Sequence, residues 1–212
     1  MAKNVLIEAG KDISINALDT AISDLTDFFK GFPVVSSAIT LLKALASIPD
    51  RLYVKKMYYF LSALKNDDMD SDTFSDAMNK LNKDETKFEE TLLFIIEKAE
   101  NTEKAHVLGY FTRLLALGII NYNDYLFYAN VINNIQLIFL KCISREYKNS
   151  KNLENSIIFG VLQSQGFVES GNGMHEKNGT LNLETKFSVK LSEFGSILDQ
   201  YFKDSAGVAG SA

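Results

Sequence analysis

Residues 31–64 read GFPVVSSAITLLKALASIPDRLYVKKMYYFLSAL, and no other stretch of the chain is as apolar. Residues 31–48 carry one charge, Lys43; after Pro49-Asp50-Arg51 comes a segment crowded with tyrosine, leucine and phenylalanine. Ser47-Ile48-Pro49-Asp50 matches the S-x-x-D capping pattern, with proline tolerated in the first helical turn. The pattern predicts helices over 34–46 and 51–65. The second is apolar over more than half its circumference, which assigns it to the centre of a bundle. Lys55 and Lys56 give it a cationic edge, read as a solvated face rather than a phosphate site.

The flanking segments are amphipathic and need such a centre to pack on. Over 14–29, Ile15, Leu18, Ile22, Leu25 and Phe29 recur at steps of three and four, a narrow helical stripe. The acidic stretch 66–72 lacks the glycine and terminal glutamate of a calcium loop and is read as helix-capping. Helices are predicted over 73–82, 84–100 and 103–117, the last capped by Asn101 or Thr102 and ended by Gly118. Asn121 and Asn123 frame a turn, and 124–147 reads as one long apolar helix. The polar run 147–155 is the only obvious linker.

Beyond it the pattern changes. A helix over 153–165 ends at Gly166, strand-like pieces at 166–169 and 185–189 flank a polar, glycine-rich excursion at 170–183, and a helix over 192–202 closes the chain. The expected fold is all-α: a bundle of six or seven helices (1–148) with a small winged-helix-like appendage of helix, hairpin and helix (152–204). Residues 205–212, SAGVAGSA, read as a disordered tail or an expression scar.

Several short pieces resemble a group of bacterial and prophage proteins loosely related to the abortive infection alpha family. They are Pro33-Val34-Val35, Ser47-Ile48-Pro49-Asp50-Arg51, Lys55-Lys56 with Phe60-Leu61, Leu108-Gly109, Leu117-Gly118-Ile119-Ile120, Gly166-Phe167-Val168 and Leu191-Ser192-Glu193-Phe194-Gly195. Pro49 departs from the charged residue expected there. The resemblance implies a helical body with a C-terminal wing and a setting in phage defence. It brings no catalytic residue with it.

Chemistry is sparse. With 46% hydrophobic and 23% charged residues the chain has the composition of a soluble globular protein, and its net charge of −5 disfavours non-specific phosphate binding. The single cysteine, Cys142, sits in an apolar pattern and allows no internal disulfide; with no signal-peptide pattern at 1–10, the expected compartment is the cytoplasm, with membrane association as the alternative. His106 and His175 are too few and too far apart for a zinc site, and no nucleotide-binding or hydrolase motif occurs. No catalytic residue, metal or cofactor is expected.

The expected function is a non-enzymatic protein-interaction module. Its candidate contact residues are Arg51, Lys55, Lys56, Asn172 and His175, and its partner another protein, a second copy of the chain included. The first alternative is a membrane-perturbing effector using 31–48, whose eighteen residues, with Lys43 and several hydroxyls, are marginal for a span of about 20. The second is a winged-helix DNA regulator. From Lys151 onward, however, five lysines face seven acidic residues, and 153–165 carries no basic residue at all. No nucleic-acid partner is expected.

Overall fold

The computed structural model describes residues 51–65, 71–84, 88–141, 157–177 and 180–207. The helices expected over 14–29 and 34–46, the 31–48 segment of the membrane alternative, Cys142, the linker 147–155 and residues 208–212 lie outside the described residues. Seven helices and one hairpin are named below, in two compact units, Met1–Asn134 and Ile135–Ala212.

The first unit contains α1 (Arg51–Leu64), α2 (Ser71–Asp84), α3 (Phe88–Lys98), α4 (Thr102–Ala116) and α5 (Tyr122–Asn134). The all-helical expectation holds here. Met57, Phe60, Leu61 and Leu64 are buried, as the apolar circumference of α1 requires, together with Phe88, Leu92 and Ile96 of α3. The centre, however, is shared. Helix α4 packs against α1, α2, α3 and α5, and its contact with α1 is the most extensive between helices. The two approach backbone to backbone, since a Cβ on Gly109 would stand 2.2 Å from the carbonyl oxygen of Phe60. Only glycine lets the helices cross that closely. Aromatic edges fill the remaining volume, with Phe88 edge-on to Tyr122 and Tyr125 and Phe111 edge-on to Tyr128.

Helix ends follow local chemistry. The Asn101 side chain accepts from the backbone N–H of Lys104 at 2.9 Å, which makes it the N-cap of α4. At the other end Gly118 takes a φ of 68°, its N–H reaches Leu115 O and the N–H of Ile119 reaches Leu114 O. That pair of bonds is a Schellman motif. Asn121 then starts α5 by accepting from the N–H of Asp124.

The long helix expected over 124–147 is not continuous. Helix α5 stops at Asn134, residues 135–136 are irregular, and helix resumes at 137–141. The boundary between the two units falls at this break rather than in the 147–155 linker.

The second unit runs, after those residues, through α6 (Ile157–Ser164), β1 (Val168–Lys177), β2 (Thr180–Leu191) and α7 (Glu193–Gly207). The expected order of helix, hairpin and helix is present, but the hairpin is much longer than expected. The polar excursion 170–183 is itself mostly strand, antiparallel from Val168 opposite Leu191 to Lys177 opposite Thr180, with one irregularity between Gly173 and His175. Glycine and asparagine weaken a strand without forbidding it, and the irregularity sets residues 183–185 of β2 opposite residue 174 of β1 alone. Residues 205–207, set aside as tail, continue α7.

The base of the hairpin is knotted. Gly166, at φ 77°, ends α6 in a second Schellman motif, with the N–H of Phe167 on Leu162 O at 2.9 Å. The Ser192 N–H donates to Phe167 O at 3.0 Å, its hydroxyl donates to Gly166 O, and that hydroxyl accepts from the N–H of Gly195 at 3.0 Å. The Phe167 and Phe194 rings stack with centroids 4.7 Å apart. The residues that carried the family resemblance here are thus turn, cap and packing residues.

Candidate functional site

The first unit holds a set of cations, Lys56 and Lys104 buried and Arg113 half-buried, and each answers the same need. The last carbonyls of a helix lack intrahelical partners and carry partial negative charge, so a nearby cation stabilises them. Neither α1 nor α5 has a basic residue in its own last turn. Helix α4 supplies both. Arg113 Nη1 donates to Ala63 O of α1 at 3.3 Å, and its guanidinium lies 4.9 Å from the Tyr110 ring. Lys104, 1% exposed, donates from Nζ to Asn133 O of α5 at 3.1 Å and pairs with Glu100 Oε2 at 3.1 Å.

Helix α3 is closed from α1. Lys56, buried, donates from Nζ to Glu97 O at 2.8 Å and to Ala99 O at 3.0 Å. Asn133 Nδ2 adds a bond to Ile95 O at 3.1 Å, while its Oδ1 is buried with no hydrogen-bond partner. Three helix C-termini are thus capped by cations from other helices.

This corrects the expectation for Lys56. Rather than standing on a solvated edge, its aliphatic stem is buried and its ammonium reaches two backbone carbonyls. Lys55 is half-buried, and Arg51 is the first residue of α1. Asn172 and His175 belong to the other unit, on β1, where they pair with Phe187 and Asn182 on either side of the irregularity. The five candidates therefore form no single cluster within either unit.

Two further groups sit inside the first unit. Burial, and then the charge of Arg113, lower the His106 imidazole to a pKa of about 4. A general base working near neutral pH needs a value close to 7, so this imidazole is suited to packing as a neutral ring. Thr112 Oγ1 donates to Leu108 O at 2.9 Å and accepts from the Tyr125 hydroxyl at 3.0 Å; burial pushes the Tyr125 phenol well above its usual value.

Sequence reading missed Lys104, Arg113 and Asn133. The available signal was a lysine at the head of a largely apolar helical run, KAHVLGYF. Among the described residues no group of His, Cys, Asp and Glu could hold a metal ion, and no helix is long and apolar enough to cross a membrane. No family model, curated protein or solved structure matches the chain.

Proposed function

We propose that the chain is a non-enzymatic protein-interaction module, acting in the phage-defence or prophage-immunity setting that the sequence resemblance implies. The observation that carries this reading is the hairpin. Its strands of 10 and 12 residues pair only with each other among the described residues. In an antiparallel pair every second residue directs its N–H and C=O away from the neighbouring strand. An edge of that kind takes up an extended segment of another protein as an added strand. Along β1 the run Ser170-Gly171-Asn172-Gly173 is small, which favours close approach of a second backbone. Asn172 lies in this stretch and His175 two residues beyond it. The cations of the bundle engage helix ends, which supports a structural rather than a catalytic role for them.

The test uses two adjacent prolines. Of Gly171 and Asn172 one directs its N–H outward, so one of the variants Gly171→Pro and Asn172→Pro blocks the edge without breaking the hairpin. Circular dichroism and amide spectra identify the folded variant. Proteins captured by the tagged wild-type chain from infected cells should be lost in that variant. Retention of the captured partners, or tight salt-sensitive binding of random duplex DNA, would overturn the reading.

A further inference from the structure

Helix α1 is shut off from water on more sides than its described neighbours cover. Lys56, Phe60 and Ala63, at steps of four and three, form one stripe of the helix. That stripe meets the backbone of α4 at Gly109 and the end of α3 at Glu97 and Ala99. Helix α3 packs in turn against α4, so it stands on the α4 side of α1, and α2 and α5 pack chiefly against α3 and α4. About half a turn round α1 runs a second stripe, Val54, Tyr58 and Leu61. Val54 is 3% exposed, Leu61 1% and Tyr58 half-buried, and Met57 and Ser62 beside them are buried. An apolar stripe held out of water needs packing partners, and α4 and α3 lie on the other side.

We infer that the cover of this second stripe is the segment 34–46, running antiparallel to α1 as a permanent wall of the bundle. Only Ser47 to Asp50 separate the segment from α1, and connections that short join antiparallel neighbours. As a helix it would be about 20 Å long, the length of the 14 residues of α1. The compact unit that holds α1 includes these residues.

The pattern of the segment fits that place. Ser36, Thr40, Lys43 and Ser47 recur at steps of four, three and four, which gathers them on one side of a helix. Val35, Ala38, Leu42 and Leu45 recur at steps of three, four and three on the opposite side, flanked by Val34, Ile39, Leu41 and Ala46. Folded back from the turn, Leu42 comes level with Val54, Ala38 with Tyr58 and Val35 with Leu61, the small residue meeting the large ring. Lys43 then points away from α1 and into water. A span immersed in lipid has no reason to gather its hydroxyls and its one amine on a single side. The stretch 31–48 is therefore committed to the bundle rather than held in reserve for a membrane. The inference does not rest on the partner reading of the hairpin, and either can fail without the other.

The experiment is cysteine chemistry on the full chain in a Cys142→Ala background. With Ala38→Cys and Tyr58→Cys together, mild oxidation should close a disulfide within the chain, whereas Thr40→Cys with Tyr58→Cys should stay reduced. As single substitutions, Ala38→Cys and Leu42→Cys should react with a maleimide on the order of tenfold or more slower than Ser36→Cys, Thr40→Cys and Lys43→Cys, until urea unfolds the chain. Anionic liposomes should leave that ranking unchanged. Equal labelling of the two sets in the folded chain, protection of the 36, 40 and 43 set instead, or loss of protection on adding liposomes would overturn the inference. So would a folded Ala38→Cys, Tyr58→Cys chain that forms no disulfide.

Discussion

The bundle and the hairpin unit treat their backbone polar groups in opposite ways. In the bundle, helix ends that could have been left to water are closed from a distance: Lys56 reaches carbonyls 41 and 43 residues along the chain, Lys104 one 29 residues on, and Arg113 one 50 residues back. In the hairpin unit the turns and caps are closed at the base, by Gly166 and Ser192, while each strand keeps one edge without a strand beside it among the described residues. The contrast teaches where to look for partners. A unit whose backbone is answered internally has little to gain from another chain, whereas an open strand edge is completed by one.

Four substitutions and one pH series can break or sharpen that contrast. The largest effect belongs to the core. Leu61→Ala, at a side chain 1% exposed, should cost about 2–5 kcal/mol in urea unfolding; a value near zero would remove α1 from the interior. Gly109→Ala comes next, because its Cβ meets the Phe60 carbonyl and the helices must part, at about 3 kcal/mol for overpacking against backbone.

Lys56→Met tests the distant caps directly. It keeps the apolar stem and removes the ammonium from two carbonyls, so about 2–3 kcal/mol should be lost, the scale of a charged hydrogen bond whose buried partners are left alone. If Lys56→Met were neutral, the cation would be a passenger and the contrast with the hairpin would lose its basis.

The pH series depends on His106. Its folded pKa of about 4 lies below the unfolded value of 6.5, so between these values the unfolded chain binds more protons. The stabilisation is present above about pH 6.5 and is lost as pH falls towards 4. Wild type should lose about 2 kcal/mol more than His106→Gln between pH 7 and pH 5, by paired urea titrations. The smallest effect is Tyr125→Phe, about 1 kcal/mol, for one neutral hydrogen bond to Thr112. The cost should shrink in a Thr112→Val background if the two hydroxyls act as a pair.

How much of this could be read from residue order follows from the range of each interaction. The burial of α1 is written in its own spacing, Met57, Phe60, Leu61 and Leu64, and the limits of α4 in Asn101 and Gly118, because those signals act over three or four residues. The break at residues 135–136 carries no proline or glycine, and the carbonyl that ends α5 is met by Lys104 from another helix. A lysine at position 56 looks like any surface lysine until a helix end 41 residues away is folded against it. The hairpin was legible for a different reason and still underread. Glycine and asparagine in β1 drew attention away from the strict alternation of Leu181, Leu183, Phe187, Val189 and Leu191 in β2. Of the candidate contact residues, Asn172 and His175 fall within strand β1 rather than in a polar excursion, and Lys56 does not belong to a surface.

The inward-facing amines have a practical consequence. An acylating reagent in the solvent meets the exposed lysines at once, but Lys56 and Lys104 become nucleophiles towards it only after their helix ends have come apart. Mass-spectrometric labelling at these two positions therefore clocks the opening of α3 from α1 and of α5 from α4 separately. Nature has left two built-in stopwatches in the bundle, one at each of the seams that α1 and α4 hold closed.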